Sequence, residues 1–142
     1  MNRKLKEEGL RLMSELGYPV KAIELYVGKV NIGALRKPDI VTKYLGRCGD
    51  FIELHLKIAK SNVIKNGKFY YVGCPGSAMC VSAMIELVRG KTIDEAKKLT
   101  EEDVLKWLGG LPKEKLDCVK LAITTLRKAI AEYEKMRGRS EI

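Results

Sequence analysis

The chain has 142 residues, enough to bury a core without disulfide staples, and a single domain over residues 1–142 is expected. Its 46% hydrophobic and 32% charged residues exclude a disordered chain, and no apolar run approaches the roughly 18 residues that span a bilayer. The net charge of +9 invites nucleic acid as a partner, but 27 Lys and Arg are interleaved with 18 acids, and two Phe and one Trp make no platform for bases. Neither nucleic acid nor membrane is therefore expected.

In chain order, Leu5, Leu10, Leu12, Met13 and Leu16 recur at helical spacing, and Gly17 and Pro19 stop them, which predicts a helix over 3–16. From Val20 to Asp39 the pattern is mixed and punctuated by Gly28, Gly33 and Pro38, so no element is assigned there. A strand is expected around Ile40 to Leu45. Ile52, Leu54, Leu56 and Ile58 then alternate with Phe51, Glu53, His55 and Lys57 as a half-buried strand. Asn66-Gly67 reads as a hairpin turn into Phe69 to Val72.

After Cys74 the period becomes helical through Met79, Ala83 and Leu87 and ends at Gly90. Thr92 with Glu95 and Thr100 with Asp103 mark two further helix starts, and Gly109-Gly110 stops the second. Pro112 begins a last helix with the stripe Leu116, Val119, Ile123, Leu126, Ile130 and Tyr133, and a frayed tail is expected from Arg137. Strands first and helices afterwards predict an α+β fold, with helices on one face of an antiparallel sheet of about three strands.

The four cysteines carry the chemistry. Without an apolar segment behind the basic start MNRKLKEEGL, a cytoplasmic protein with reduced thiols is expected. Cys48 lies in a Cys-Gly-Asp turn, Cys74 in Gly-Cys-Pro-Gly, and Cys118 early in the last helix, so all three can meet at one end of the fold. Thiolates are the ligands that zinc and iron–sulfur clusters require. Gly46 and Gly49, and Gly73 and Gly76, allow the backbone a close approach. Asp50 and Asp117 stand beside these cysteines as oxygen donors. The competing reading makes each cysteine a small buried hydrophobe, which suits Cys80 between Met79 and Val81. His55, the only histidine, reads as a surface or inter-layer residue rather than a ligand. Neither a P-loop, a GxGxxG nor a Ser-His-Asp arrangement is present, which leaves hydrolase and nucleotide readings without support.

Four segments in order resemble the iron–sulfur cluster scaffold family of IscU and the NifU N-terminal domain: NIGALRKPD, GRCGDFIELHLKI, VGCPGSAMCVSAMIELVRGKTIDEA and LGGLPKEKLDCVKLAITTLRKAI. The resemblance spans about residues 31–131 and implies a SufE/NifU-like fold. It implies a non-enzymatic scaffold that builds a transient [2Fe-2S] cluster from iron and from sulfur given by a cysteine desulfurase, then passes it to apo iron–sulfur proteins. Cys48, Cys74 and Cys118 correspond to the family's ligands, and Asp50 to the aspartate that tunes cluster lability. Two departures stand out. Asp117 replaces the histidine that usually precedes the third cysteine, which leaves the fourth ligand open among Asp50, Asp117, Cys80 and an external group. Only Leu111, Pro112 and Lys115 remain of the tract read by an Hsp70-type chaperone. A homodimer of the loaded form is a further expectation. The alternative is a zinc-bound sulfur acceptor of the SufU type that relays persulfide, although the spacing of Cys74 and Cys118 resembles the IscU type.

Overall fold

Three antiparallel strands form the frame: β1 (Ile40–Leu45), β2 (Phe51–Ile58) and β3 (Ile64–Val72), in the order β1-β2-β3. The chain is described by a computed structural model over residues 3–47 and 49–140, with the side chains of 139 and 140 left aside. Alternation in β2 sends Ile52, Leu54, Leu56 and Ile58 to the core face. Leu54 pairs with Thr42 and Phe69 in a buried row that crosses the whole sheet, and Ile52 pairs with the half-buried Tyr44 and Tyr71 beside it.

Helices α1 (Arg3–Glu15) and α2 (Val20–Val27) precede the sheet, while α3 (Pro75–Val88), α4 (Ile93–Lys97), α5 (Glu101–Leu108) and α6 (Leu116–Ser140) follow it. The α+β expectation therefore agrees with the structure. α3 is apolar nearly all round because α2, α5, α6 and β3 all pack against it. Its Met79, Met84 and Ile85 are fully buried, each contributing about 1.5–3 kcal/mol by removal from water. The predicted α6 stripe is buried at Val119, Ile123, Leu126, Ile130 and Tyr133, whereas Leu116 stays exposed. Both Thr-led helix starts are capping boxes, Thr92 with Glu95 and Thr100 with Asp103.

Several local expectations are corrected. The mixed stretch after Val20 contains α2, which buries Ala22, Ile23 and Leu25. It has no side-chain cap and only two turns, so packing on α3 holds it rather than propensity. Asn66-Gly67 is not a turn but part of β3, with Gly67 opposite Leu56. A Cβ at Gly67 would stand 3.1 Å from Ile85 Cγ2 and from Leu56 Cδ2, so glycine is there to admit α3. The reversal comes earlier, where Ala59 N–H bonds Val63 O at 2.9 Å and Asn62 takes φ 65°. Pro112 leads into a 3₁₀ turn, Lys113–Lys115, before α6 begins at Leu116, and α6 continues through Arg137 to Ser140 rather than fraying. Among the described residues no helix is long and apolar enough to cross a membrane.

His55 sits on the sheet's other face, buried beneath the segment after Gly33. Leu35 N–H points at its Nδ1 at 3.4 Å, and its Nε2 lies 3.0 Å from Glu53 Oε2. It is an inter-layer residue, as the alternation suggests.

Candidate functional site

Three chain reversals meet at one end of the sheet. The β1–β2 turn is closed by Gly46 N–H to Asp50 O at 2.7 Å, and Gly49 takes φ 87° inside it. Cys48, assigned to this turn, lies outside the described residues. At the exit of β3, Cys74 is the N-cap of α3, with Pro75 as the first helical residue. Cys118 is the third residue of α6. Both sulfurs therefore stand at helix N-termini, whose partial positive charge favours thiolate and bound anionic sulfur.

Asp50, Cys74 and Cys118 each bring a ligand atom to within 4.8 Å of the other two. Cys74 Sγ lies 3.7 Å from Cys118 Sγ and 3.6 Å from Asp50 Oδ2. A tetrahedral centre with metal–sulfur bonds of about 2.3 Å and metal–oxygen bonds of about 2.0 Å requires edges of about 3.8 Å and about 3.5 Å. Both separations match, and with the Asp50–Cys118 separation within 4.8 Å the three groups are spaced to share one thiophilic ion.

The glycines have the role their spacing suggests. A Cβ on Gly73 would fall 2.6 Å from Asp50 Cγ, and one on Gly76 would fall 3.0 Å from Cys118 Sγ. One on Gly46 would meet Leu121 Cδ1 at 2.8 Å. Of the other sequence candidates, Asp117 is exposed and outside the cluster, because neighbouring positions on a helix point about 100° apart. Cys80 is fully buried within α3 and also outside the cluster, and burial pushes its thiol well above the ordinary range.

Two residues of the site carry no distinguishing sequence signal. Ser77, fully buried, donates a hydrogen bond to Asp50 Oδ2 and lies 3.7 Å from each of the two sulfurs. Tyr18 is buried with its hydroxyl 3.6 Å from the Gly76 Cβ position. Burial, followed by the nearby Cys74 and Cys118, pushes its phenol up to about 12.

Burial pushes the Cys118 thiol up to about 11, and Cys74 adds to this, while the Ser77 hydrogen bond and the Lys115 charge pull the other way. The folded value lies above the ordinary value of 9, so the stabilisation is complete below about pH 9 and lost as pH rises to about 11. Tyr18 and Tyr71, both raised to about 12, extend the loss upward. The metal-free protein is therefore expected to lose on the order of 2 kcal/mol across this window through Cys118. Denaturant midpoints under reducing conditions from pH 8 to 11 measure it, and a flat profile contradicts the burial of this thiol. A bound thiophilic metal removes the Cys118 part of the loss, because the ligand is already a thiolate.

Comparison with known proteins agrees with this fold. Residues 17–140 match the model of the NifU-like N terminal domain. The chain is 37% identical over 123 residues to the iron-sulfur cluster assembly scaffold protein IscU 1 of Archaeoglobus fulgidus, covering 86% of this chain and 80% of that protein. It is 37% identical over 127 residues to the scaffold protein IscU of Aquifex aeolicus, covering 87% and 80%. The crystal structure of a putative SUF-system scaffold from Fervidobacterium islandicum shares the fold, with a TM-score of 0.67 at 20% identity over 82% of this chain and 98% of that one. A match over nearly the whole chain, joined to the predicted strand, loop and helix order, means that the chain belongs to the NifU-like N-terminal domain family.

Proposed function

We propose that this protein is an assembly scaffold rather than an enzyme, on which a [2Fe-2S] cluster is built from iron and sulfur and then passed to apo iron–sulfur proteins. The observation that carries the reading is the meeting of Asp50, Cys74 and Cys118 at tetrahedral separations, at the N-termini of two helices and at the rim of the sheet. Cys48, two residues before Asp50, completes the ligand set in this reading, with Asp50 as the fourth, oxygen ligand. Three thiolates and one weaker oxygen suit a carrier: sulfur holds the iron, and the exchangeable position lets the cargo leave. A cysteine desulfurase supplies the sulfur, and the mouth of the site is open enough for it, since Asp50 and Cys74 are only half-buried.

Anaerobic incubation of the reduced protein with ferric iron and sulfide, or with ferrous iron, a desulfurase and cysteine so that persulfide sulfur takes up electrons from the iron, tests the proposal. Broad visible absorption from sulfide-bridged iron, with iron and sulfide bound in equal amounts, is the expected result. A second reading rests on the same separations, because zinc fits them equally well. A protein that holds zinc, stays colourless and accepts persulfide sulfur would establish that reading and remove the first.

A further inference from the structure

Ser77 occupies the first turn of α3 with no exposure at all, and its hydroxyl is surrounded by three of the prospective ligands, Asp50, Cys74 and Cys118. Its Oγ donates to Asp50 Oδ2 and lies 3.7 Å from Cys74 Sγ and 3.7 Å from Cys118 Sγ. A hydroxyl has a single hydrogen, so it serves either the Asp50 carboxylate or Cys118 Sγ at one time, and the contact to the carboxylate is the shorter of the two. Among the described residues Asp50 Oδ2 has one other contact of this kind, the Cys74 thiol at 3.6 Å. Metal binding requires Cys74 as a thiolate, which eliminates that S–H donor. Among the described residues Ser77 then remains as the group that orients the carboxylate, which sits where a side chain on Gly73 would otherwise project. The neighbouring serine of α3, Ser82, uses its hydroxyl differently, bonding Val30 O at 2.8 Å.

We propose that Ser77 is the positioning residue for Asp50: it holds the carboxylate against the two sulfurs, so that an incoming metal ion meets sulfur, sulfur and oxygen together. The inference deepens the scaffold reading by assigning control of its oxygen ligand, but it concerns the binding of one ion and needs no sulfide. Outer contacts to metal ligands commonly change affinity by about 10–100-fold, so a buried donor of this kind carries a measurable effect.

Cobalt(II) is the probe, because its visible ligand-field bands report the donor set directly. Metal-free protein is titrated anaerobically as wild type, Ser77→Ala, Asp50→Ala and the double variant. Alanine removes one oxygen and is a strong helix former, so α3 is retained, which far-UV circular dichroism checks. Expected is a roughly tenfold loss of cobalt affinity in Ser77→Ala, with bands moving toward those of Asp50→Ala. In the Asp50→Ala background, Ser77→Ala should change neither affinity nor bands. Unchanged affinity and bands in the single variant overturn the proposal, and so does an equal loss in both backgrounds, which would place Ser77's action on the sulfurs or on packing. Failure of the assembly reading is distinguishable, since it appears as a wild-type protein that forms no coloured iron–sulfide species while this cycle still reports on Ser77.

Discussion

Cys74→Ala and Cys118→Ala are each expected to abolish iron and sulfide incorporation while leaving the fold intact. Four-ligand thiolate and imidazole sites bind zinc with about 10–16 kcal/mol, so one ligand represents about 3 kcal/mol, roughly a hundredfold in occupancy. Neither change opens a large cavity, because Cys74 is half-buried at a helix N-cap and Cys118 faces the small space between Gly76 and Ser77. Cys48→Ala is expected to match them. Cys80→Ala is the contrast: its sulfur lies in the core, so the change should cost about 1–2 kcal/mol of stability and leave iron uptake unaltered. Iron and sulfide analysis after reconstitution, alongside urea unfolding, separates the two classes. Full incorporation by Cys74→Ala and by Cys118→Ala would show that these sulfurs are not the ligands.

The backbone requirements of the site are legible in the sequence, and its side-chain environment is not. Gly73 and Gly76 stand out because a side chain at Gly73 would overlap Asp50 and one at Gly76 would crowd Cys118, and glycines close to a cysteine announce this locally. Ser77 and Tyr18 are ordinary residues in ordinary places; only the packing of α2 and α6 around α3 turns them toward the sulfurs. The same difference separates the elements. β2 and the capped helices α4 and α5 declare themselves by alternation and by Thr-x-x-acid pairs. α2 is held by its neighbours and has no such mark. Asn66-Gly67 misleads because a glycine can serve a turn or a close contact with equal ease, and only the approach of Ile85 decides which. Asp117 misleads because adjacency in sequence is not adjacency on a helix face.

Asp50→Ala is expected to lengthen the life of an assembled cluster roughly tenfold while weakening the capture of a single metal ion. The carboxylate is a hard, exchangeable donor among soft sulfurs, well suited to meeting an incoming ion and poorly suited to retaining sulfide-bridged iron. It also lies close to the sulfurs, with its oxygen 3.6 Å from Cys74 Sγ, in room that the bare Gly73 backbone leaves for it. A loaded cluster must therefore accommodate a negative group that competes with sulfide for the same iron. Removing the carboxylate leaves a small space at the rim, where Asp50 is only half-buried, so the fold loses little. Decay of the visible absorption in the presence of an iron chelator measures the lifetime, and metal titration of the unloaded protein measures capture. The two quantities should move in opposite directions, because one group assists entry and hastens departure. Decay as fast as that of wild type, or faster, would make Asp50 an ordinary retaining ligand instead.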